Sequence, residues 1–240
     1  MTILVVGASG ATGKLLVSQL LERGHKVKAI VRSADRLPQH LRDNKQLTVI
    51  NASLLDLSDH VLTDHVKDCQ AVASCLGHNL NFKGMYGKPR RLVRDAARKL
   101  YLAIQANEPS KPIKFVLMNT AGNSNRDLHE PISFGQKIVI GLLRMLLPPH
   151  VDNEQAADFL RKTLGPHDPN VEWSAVRPDT LINEEKVTEY EVHASPIRSA
   201  IFNPGKTSRI NAAHFMADLI TDDDLWEKWT GQMPVIYNIE

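Results

Sequence analysis

The sequence predicts an α/β protein with a doubly wound, mainly parallel sheet, and three observations support this fold. Strand-like and helix-like segments alternate along the 240 residues, as they do in parallel-sheet proteins. The first strand, residues 2–6, is apolar without interruption, which is typical of a central strand covered on both faces. A glycine-spaced turn and then an amphipathic helix follow that strand directly. The length suits a single domain over 1–240, with a small substrate-side region over 180–240.

The other elements follow from the same apolar periodicities. Strands are predicted over 26–31, 46–50, 70–75, 113–118, 171–176 and 234–237, with a hairpin over 187–201. Helices are predicted over 15–21, 57–66, 91–107, 134–147, 153–164 and 212–220. The helix over 134–147 is apolar around nearly its whole circumference, which favours burial within the domain. A lid over a substrate site and a surface for self-association are the alternatives for this helix.

The turn after the first strand has the spacing that a dinucleotide pyrophosphate requires. Gly7 lets the chain leave the strand sharply, and Gly10 removes a side chain where the phosphates approach the backbone. Gly13 lets the next helix pack close to the sheet, with its positive N-terminal end toward the phosphates. The strand before the turn and the helix after it favour a Rossmann-type dinucleotide site over a turn that binds nothing.

The end of the second strand indicates which dinucleotide is bound. A site for NAD normally places Asp or Glu there, to accept hydrogen bonds from the ribose hydroxyls. This chain has Arg32 and Ser33 at that position, with Arg36 one turn later. A guanidinium can bond a 2′-phosphate through two donors, whereas a carboxylate would repel it. The sequence therefore predicts NADP(H), the alternative being that Arg32 is a solvated surface residue.

Composition and charge limit the partners and the compartment. A formal net charge of +2 is too small to indicate nucleic acid or an anionic membrane as a partner. Cys69 and Cys75 are too far apart along one predicted strand to form a disulfide, which suits a reducing compartment. The longest apolar run, 138–147, is interrupted by Arg144, and no leader precedes the first strand, so we expect a cytoplasmic protein. The ten histidines lack metal-binding spacings, and no metal site is predicted.

Five segments together point to one known family. The chain resembles an atypical short-chain dehydrogenase/reductase of the NAD(P)H-binding, NmrA-like group, in the branch of flavin reductases and biliverdin-IXβ reductase. The resemblance covers nearly the whole chain. It rests on GASGATGKLL after the first strand, KAIVRSADRLP at the second, FVLMNTAG at the fifth, EWSAVRPDTL at the sixth and TSRINAAHFMADLI near the end.

The resemblance implies that a nicotinamide cofactor lies across the carboxyl edge of the sheet. The positions that match the phosphate turn and the 2′-phosphate site are Gly7, Ser9, Gly10, Ala11, Thr12, Gly13 and Arg32. The family usually has Gly-Asp beside the adenine; this chain has Ala52-Ser53 before Leu54, which leaves the contact to Ser53 or to the backbone. The matches toward the nicotinamide are Cys75, Leu76, Gly77, His78, Asn119, Thr120, Ala121, Arg177 and Pro178.

One departure from the family bears on the chemistry. Most active short-chain reductases protonate the substrate oxygen with a tyrosine whose pKa is lowered by a lysine four residues later. None of the four tyrosines here has that partner, since the residues at this spacing are Arg90, Gln105 and Ala194, and the chain ends before the fourth could have one. Carbonyl reduction through a Tyr-x-x-x-Lys relay is therefore disfavoured.

The sequence thus predicts a reductase that passes hydride from NADPH to an acceptor needing no such relay. The predicted acceptor is small and planar: a quinone-like compound, or a flavin bound as substrate rather than as cofactor. Thr120, Arg177 and Asp179 would line its pocket, although Thr120 can instead cap the strand end and Asp179 can bond a turn. The alternatives are a non-catalytic NADP-binding redox sensor or assembly partner and, weakened by the missing relay, a sugar-nucleotide epimerase. The protein is expected to be a monomer or a homodimer.

The loop over 78–89 supplies one further hypothesis. Phe82, Met85 and Tyr86 stand in this loop among small and polar residues such as Asn79 and Asn81. This mixture suits a mobile flap that offers flat apolar contact to a planar ligand. A glycine-rich surface loop with its aromatic rings in the core is the alternative.

Overall fold

The computed structural model of the protein describes residues 1–78 and 81–239 and confirms the alternation of strands and helices. The strands are β1 (Thr2–Val6), β2 (Lys26–Val31), β3 (Leu47–Asn51), β4 (Ala71–Ser74), β5 (Ile113–Met118), β6 (Val171–Pro178), β7 (Thr180–Ile182), β8 (Tyr190–His193), β9 (Lys206–Ser208) and β10 (Val235–Asn238). The α-helices are α1 (Gly13–Glu22), α2 (Gln39–Arg42), α3 (Asp59–Val66), α4 (Phe82–Tyr86), α5 (Leu92–Gln105), α6 (Phe134–Leu146), α7 (Pro148–Asp158), α8 (Arg209–Thr221) and α9 (Asp223–Trp229).

The central sheet has the predicted doubly wound arrangement. Eight strands pair in the order β3-β2-β1-β4-β5-β6-β10-β8, and the order of the chain reverses between β1 and β4. Val6 at the end of β1 pairs with Ile30 of β2 and with Ser74 of β4, so these strands end at one common edge. Ligands of open α/β sheets bind at such a reversal, outside the carboxyl ends of the strands. The fold therefore brings the glycine turn, Arg32 and Cys75 to one crevice.

Two apolar layers hold the helices against the sheet. On one face, buried residues of β1 and β2 pack with α1, α8 and α9. On the other face, buried residues of β4 and β5 pack with α3, α5 and α7. Strands β1 and β4 contribute alternate residues to both layers, which explains why the sequence of β1 is apolar without interruption.

Two predicted elements differ in the structure. Within 187–201, all of which is described, Tyr190–His193 alone forms a strand, and it pairs antiparallel with β10 rather than in a hairpin. The helix predicted over 153–164 begins earlier, at Pro148, because proline is well accommodated in the first helical turn. That helix then passes into a π-helix over Phe159–Leu164.

The prediction that the apolar helix over 134–147 is buried is wrong. Of α6, whose residues are all described, Ile140 alone is buried. The helix packs against α7 on one side, and its other side carries Phe134, Ile138 and Met145 with exposed fractions of 79%, 51% and 73%. A helix that is apolar all round still leaves one face in water when its neighbours cover only the other face.

In the part of the chain that is described, no helix is both long and apolar enough to cross a bilayer. Both cysteines are free thiols, Cys69 buried and Cys75 half-buried.

Candidate functional site

The glycine turn has the close backbone contacts that its spacing predicts. Gly7 adopts a φ of +73°, and a β-carbon there would lie 2.5 Å from the carbonyl carbon of Cys75. A β-carbon on Gly13 would collide with the carbonyl oxygen of Gly7. The turn is closed by Gly10 N, which donates to Gly7 O over 2.9 Å. Glycine is thus required at both ends of the turn, because backbone rather than a movable side chain occupies the space.

The N-terminus of α1 carries no competing side-chain group. Thr12 stands at the N-cap, where its side chain makes no capping bond within the described chain, and the first turn contains no acidic residue. The N–H groups and the positive end of the helix dipole at such a terminus favour a phosphate. Ala11 is exposed and Thr12 is buried, and neither lines the cavity beside the turn, so their contact with a phosphate stays a prediction.

A cavity of about 480 Å³ extends from this turn across the ends of β1, β2, β3 and β4. It is lined by most of the predicted cofactor residues: Gly7, Ser9, Gly10, Arg32, Arg36, Ser53, Leu54, Cys75, Leu76 and Gly77. An adjoining cavity of about 500 Å³ adds Ser33 and His78. The structure thus brings together residues from four separate loops, as a bound dinucleotide would require.

Three cationic side chains line the crevice without a direct ion pair among the described residues. Arg32 and Arg36 are exposed, and Lys88 lines both cavities beside them. Among the described residues, no carboxylate forms an ion pair with any of these three side chains, and the nearby Asp35 is paired with Arg42 instead. A group of free cations beside an anion-binding helix terminus suits a ligand that carries several phosphates.

Sequence reasoning missed two residues of this crevice, Asp56 and Lys88. Asp56 ends a short 3₁₀ helix, Leu54–Asp56, and lines the side of the cavity next to Ser53. A carboxylate there can accept hydrogen bonds from an adenine amino group. The sequence does show an acidic residue three positions after Ser53. The direction of its side chain depends on the short 3₁₀ helix, which no periodicity in the sequence predicts.

Cys75 lies at the cofactor edge as a neutral group. Burial raises the pKa of its thiol to about 12, so the sulfur stays protonated at neutral pH. The side chain therefore acts as a small apolar surface against the cavity rather than as a nucleophile.

A third cavity, of about 260 Å³, lies farther along the same edge, beyond β5 and β6. It contains Thr120 and Asp179, two of the three residues predicted to line an acceptor pocket. The other lining residues are Gly122, Gln136, Ile140, Leu143, His150, Thr180, Ala200 and Ile201. The inner side of α6 thus covers this cavity, which is the position that the lid alternative requires of that helix.

Thr120 and Asp179 both also hold the backbone around them. The hydroxyl of Thr120 accepts from Gly122 N over 3.3 Å. The two carboxylate oxygens of Asp179 accept from Thr180 N and Gly205 N, each over 2.9 Å. Burial raises the pKa of Asp179, and these two backbone bonds oppose that rise. The side chains therefore combine a place in the cavity with the turn-forming roles that were their alternatives.

Asn119 and Pro178 do not line the third cavity but stabilise the loop beside it. Asn119 is buried; its Nδ2 donates to Asn153 O over 3.0 Å, and its Oδ1 accepts from Thr120 N over 2.9 Å. Pro178 ends β6, and its carbonyl accepts from Ala121 N over 3.0 Å. Both residues fix the loop that carries Thr120.

The prediction that Arg177 lines the acceptor pocket is wrong. Its side chain is completely buried and forms an ion pair with Glu130, with Nη2 2.6 Å from Oε1. The guanidinium also donates to three carbonyls, those of Asn123, Ala194 and Met233. With its donors committed inside the protein, Arg177 joins the loops beneath the cavity and cannot contact an acceptor.

The loop after β4 exposes its aromatic rings. Phe82 is 78% exposed, and its ring lies 5.0 Å from that of Tyr86, whose hydroxyl donates to Leu146 O of α6. The alternative in which these rings enter the core is therefore wrong. Movement of this loop as a flap stays a prediction, and Asn79 lies outside the described residues.

Comparison with known proteins agrees with this geometry. Residues 7–223 match the NAD(P)H-binding family. The chain is 29% identical over 164 residues to the oxidoreductase tpcG of Aspergillus fumigatus, a match that covers 66% of this chain and 59% of that protein. This chain spans less than two thirds of the length of the curated relatives that it matches.

Two solved structures share the fold over nearly the whole chain. SP1627 of Streptococcus pneumoniae, described as a candidate NADH-flavin reductase, has a TM-score of 0.67 and 20% identity, with 100% of both chains covered. A short-chain dehydrogenase/reductase of Veillonella parvula in complex with NADP has a TM-score of 0.70 and 17% identity, with 99% of this chain and 94% of that one covered. Because the family match runs from the glycine turn through the third cavity to α9, the protein belongs to the NAD(P)H-binding family.

Proposed function

We propose that this protein is an NADPH-dependent reductase that transfers hydride to a flavin- or quinone-like acceptor. The observation that carries the proposal is the group of unpaired cations, Arg32, Arg36 and Lys88, next to the glycine turn. A site for NAD would need a carboxylate at the end of β2, and this one has a guanidinium. The NADP complex of the Veillonella parvula reductase shows that this fold can hold NADP, and the fold shared with a candidate NADH-flavin reductase supports the choice of acceptor only.

The residues present fit a nicotinamide cofactor, which would supply the hydride when bound. The turn over 7–13 and the start of α1 would hold the pyrophosphate, and Arg32 would bond the 2′-phosphate. Thr120, at the end of β5, would orient the reacting pair beside the third cavity. Ile140 and Leu143 of α6 would exclude water from the acceptor, and such positioning supplies much of the rate in hydride transfer.

Replacing Arg32 with alanine tests the choice of cofactor. We expect the dissociation constant of NADPH to rise roughly tenfold or more and that of NADH to change little, because a charge-assisted bond contributes about 1.5–3 kcal/mol. Titration of cofactor fluorescence measures both constants. Arg42→Ala is the matched control, because Arg42 lies on the neighbouring helix α2 and pairs with Asp35 outside the cavity. Equal losses for the two cofactors would show that Arg32 does not discriminate between them.

Turnover separates an enzyme from a sensor. Stopped-flow oxidation of bound NADPH against a panel of flavins and quinones should show at least one acceptor that is reduced. Tight NADPH binding without oxidation by any of these acceptors would instead favour a non-catalytic redox sensor. The sensor is the main competing function because the chain lacks the Tyr-x-x-x-Lys relay.

A further inference from the structure

The third cavity contains one titratable ring that the proposed function does not use. His150 lines this cavity with a side chain that is 11% exposed, and its Nε2 makes no hydrogen bond to any described residue. A β-carbon on Gly122 would lie 3.7 Å from Thr120 Oγ1 and 4.0 Å from His150 Cε1. The imidazole and the threonine hydroxyl therefore lie beside the same glycine, in the part of the cavity where the proposed function places the acceptor.

A buried carboxylate stands behind this ring. Glu154 Oε1 lies 3.5 Å from His150 Nε2, which is within ion-pair range but too long for a good hydrogen bond. Arg144 of α6 holds the carboxylate, with Nε 2.8 Å from Oε2 and Nη2 2.8 Å from Oε1. Burial acts to raise the pKa of Glu154, but the contact with His150 and the two bonds from Arg144 outweigh burial and hold that pKa at about 2. Glu154 is therefore an anion throughout the neutral range, able to orient the ring and to stabilise its charge when it is protonated.

The pair has the same sequence separation as the relay that the chain lacks. His150 and Glu154 are four residues apart on α7, the same separation as the tyrosine and lysine of an active short-chain reductase. The helix is also fixed to the reacting edge, because Asn119 at the end of β5 donates to the carbonyl of Asn153. This bond would hold a proton donor on α7 at a fixed position relative to Thr120.

We propose that His150 donates the proton in the reduction and that Glu154 is its positioning residue, an inference that rests on the proposed function. The acceptor takes up two electrons as hydride from the reduced nicotinamide dinucleotide. Its oxygen or nitrogen takes the proton from Nδ1 of the imidazolium, because Nε2 is buried beside Glu154. The ring is left neutral and regains its proton from water. The charged groups that face the ring are Glu154 on its own helix, Arg144 behind Glu154 from α6, and Asp179 across the cavity.

The kinetic test uses a quinone as acceptor. We expect kcat of the natural protein to fall above the pH at which the imidazolium loses its proton. His150→Gln should lower kcat by roughly 100- to 1000-fold and remove this alkaline limb, with the NADPH dissociation constant changed less than twofold. His150→Ala should regain activity when free imidazole is added, which a purely structural role would not allow. His60→Gln is the control, because His60 also pairs with a carboxylate four residues later but lies exposed on α3.

A second measurement needs no turnover. In the cofactor-free protein, nitrogen NMR of the His150 ring at one fixed pH should show a different distribution of the proton between Nδ1 and Nε2 in Glu154→Gln than in the natural protein, because the neighbouring anion favours the tautomer whose N–H faces it. An unchanged tautomer would overturn the positioning role of Glu154. Unchanged kcat and pH profile in His150→Gln, with the natural protein active, would overturn the proton-donor role alone. Binding of NADPH without oxidation by any acceptor would overturn the proposed function and this inference together.

Discussion

Replacing Arg177 with methionine is expected to lower the free energy of unfolding by about 3–5 kcal/mol. Methionine keeps a similar length but removes the charge that neutralises Glu130, whose side chain is only 3% exposed. The carboxylate would keep the bond from Asn125 N but stay buried without a counter-ion, and the carbonyls of Asn123, Met233 and Ala194, the first two of them buried, would lose their donor. Urea unfolding followed by tryptophan fluorescence measures the change.

Two variants distinguish this cause from a general loss of packing. Arg126→Met removes a more exposed guanidinium, 3.4 Å from Asp158, and should change the unfolding free energy by less than about 1 kcal/mol. The double variant Arg177→Met/Glu130→Leu should recover much of the loss, because it leaves no unpaired charge in the interior. A double variant no more stable than Arg177→Met would show that the charge of Glu130 is not the main cost.

The second large effect is expected from Gly13→Ala, which should weaken NADPH and NADH alike by roughly 10- to 100-fold. The new β-carbon would collide with the backbone oxygen of Gly7, so the phosphate turn must move away from α1. Relieving such an overpacked contact costs about 1–3 kcal/mol, and the displaced turn no longer directs its N–H groups to one point. Isothermal titration with each cofactor provides the measurement.

Gly141→Ala is the matched control for this substitution. Gly141 lies on α6 with no atom within 4 Å of an added β-carbon, so alanine should leave cofactor binding unchanged. Because alanine also favours the helix over glycine by about 1 kcal/mol, the control should be slightly more stable. If Gly13→Ala bound both cofactors as tightly as this control, the tight approach at the turn would not be needed for binding.

Local signals account for the parts of the protein that the sequence predicted. The glycine turn, its flanking strand and helix, and Arg32 all fall within one strand–helix–strand unit, so short-range spacing is enough to align them. The mainly parallel character of the sheet follows from the same alternation of strands and helices, because parallel neighbours require a crossover between them. No contact distant in sequence was needed for either step.

The errors arise where a partner is distant in sequence. The predicted sixth strand ends at residue 176, which leaves Arg177 in a loop, whereas Arg177 lies within β6 and its counter-ion Glu130 stands 47 positions earlier. Strand β8 pairs with β10, about forty positions later, and nothing within 187–201 indicates this. Burial of α6 depends on how many elements cover it in the fold. Its apolar pattern would be the same with one covering element or with two, so the pattern alone does not predict burial.

His150 escaped prediction for a different reason. The pair Pro148-Pro149 suggested a break between helices, which placed the start of the next helix at residue 153. In the structure these prolines begin α7, so His150 and Glu154 share one helix and one face. A correct helix start would have revealed a four-residue spacing with chemical meaning.

The contacts of Arg177 also determine which segments near the end of β6 can unfold independently. They connect the loop after β5, Ala194 and Met233, segments separated from Arg177 by 17 to 56 positions. Because one guanidinium joins all of them, local unfolding of any one segment breaks its bond to this shared group, and we expect the three to open together. Arg177 makes no such bond to α6 or to the loop over 199–201. We therefore expect these two elements, which line the third cavity, to move on the faster timescale of local fluctuation.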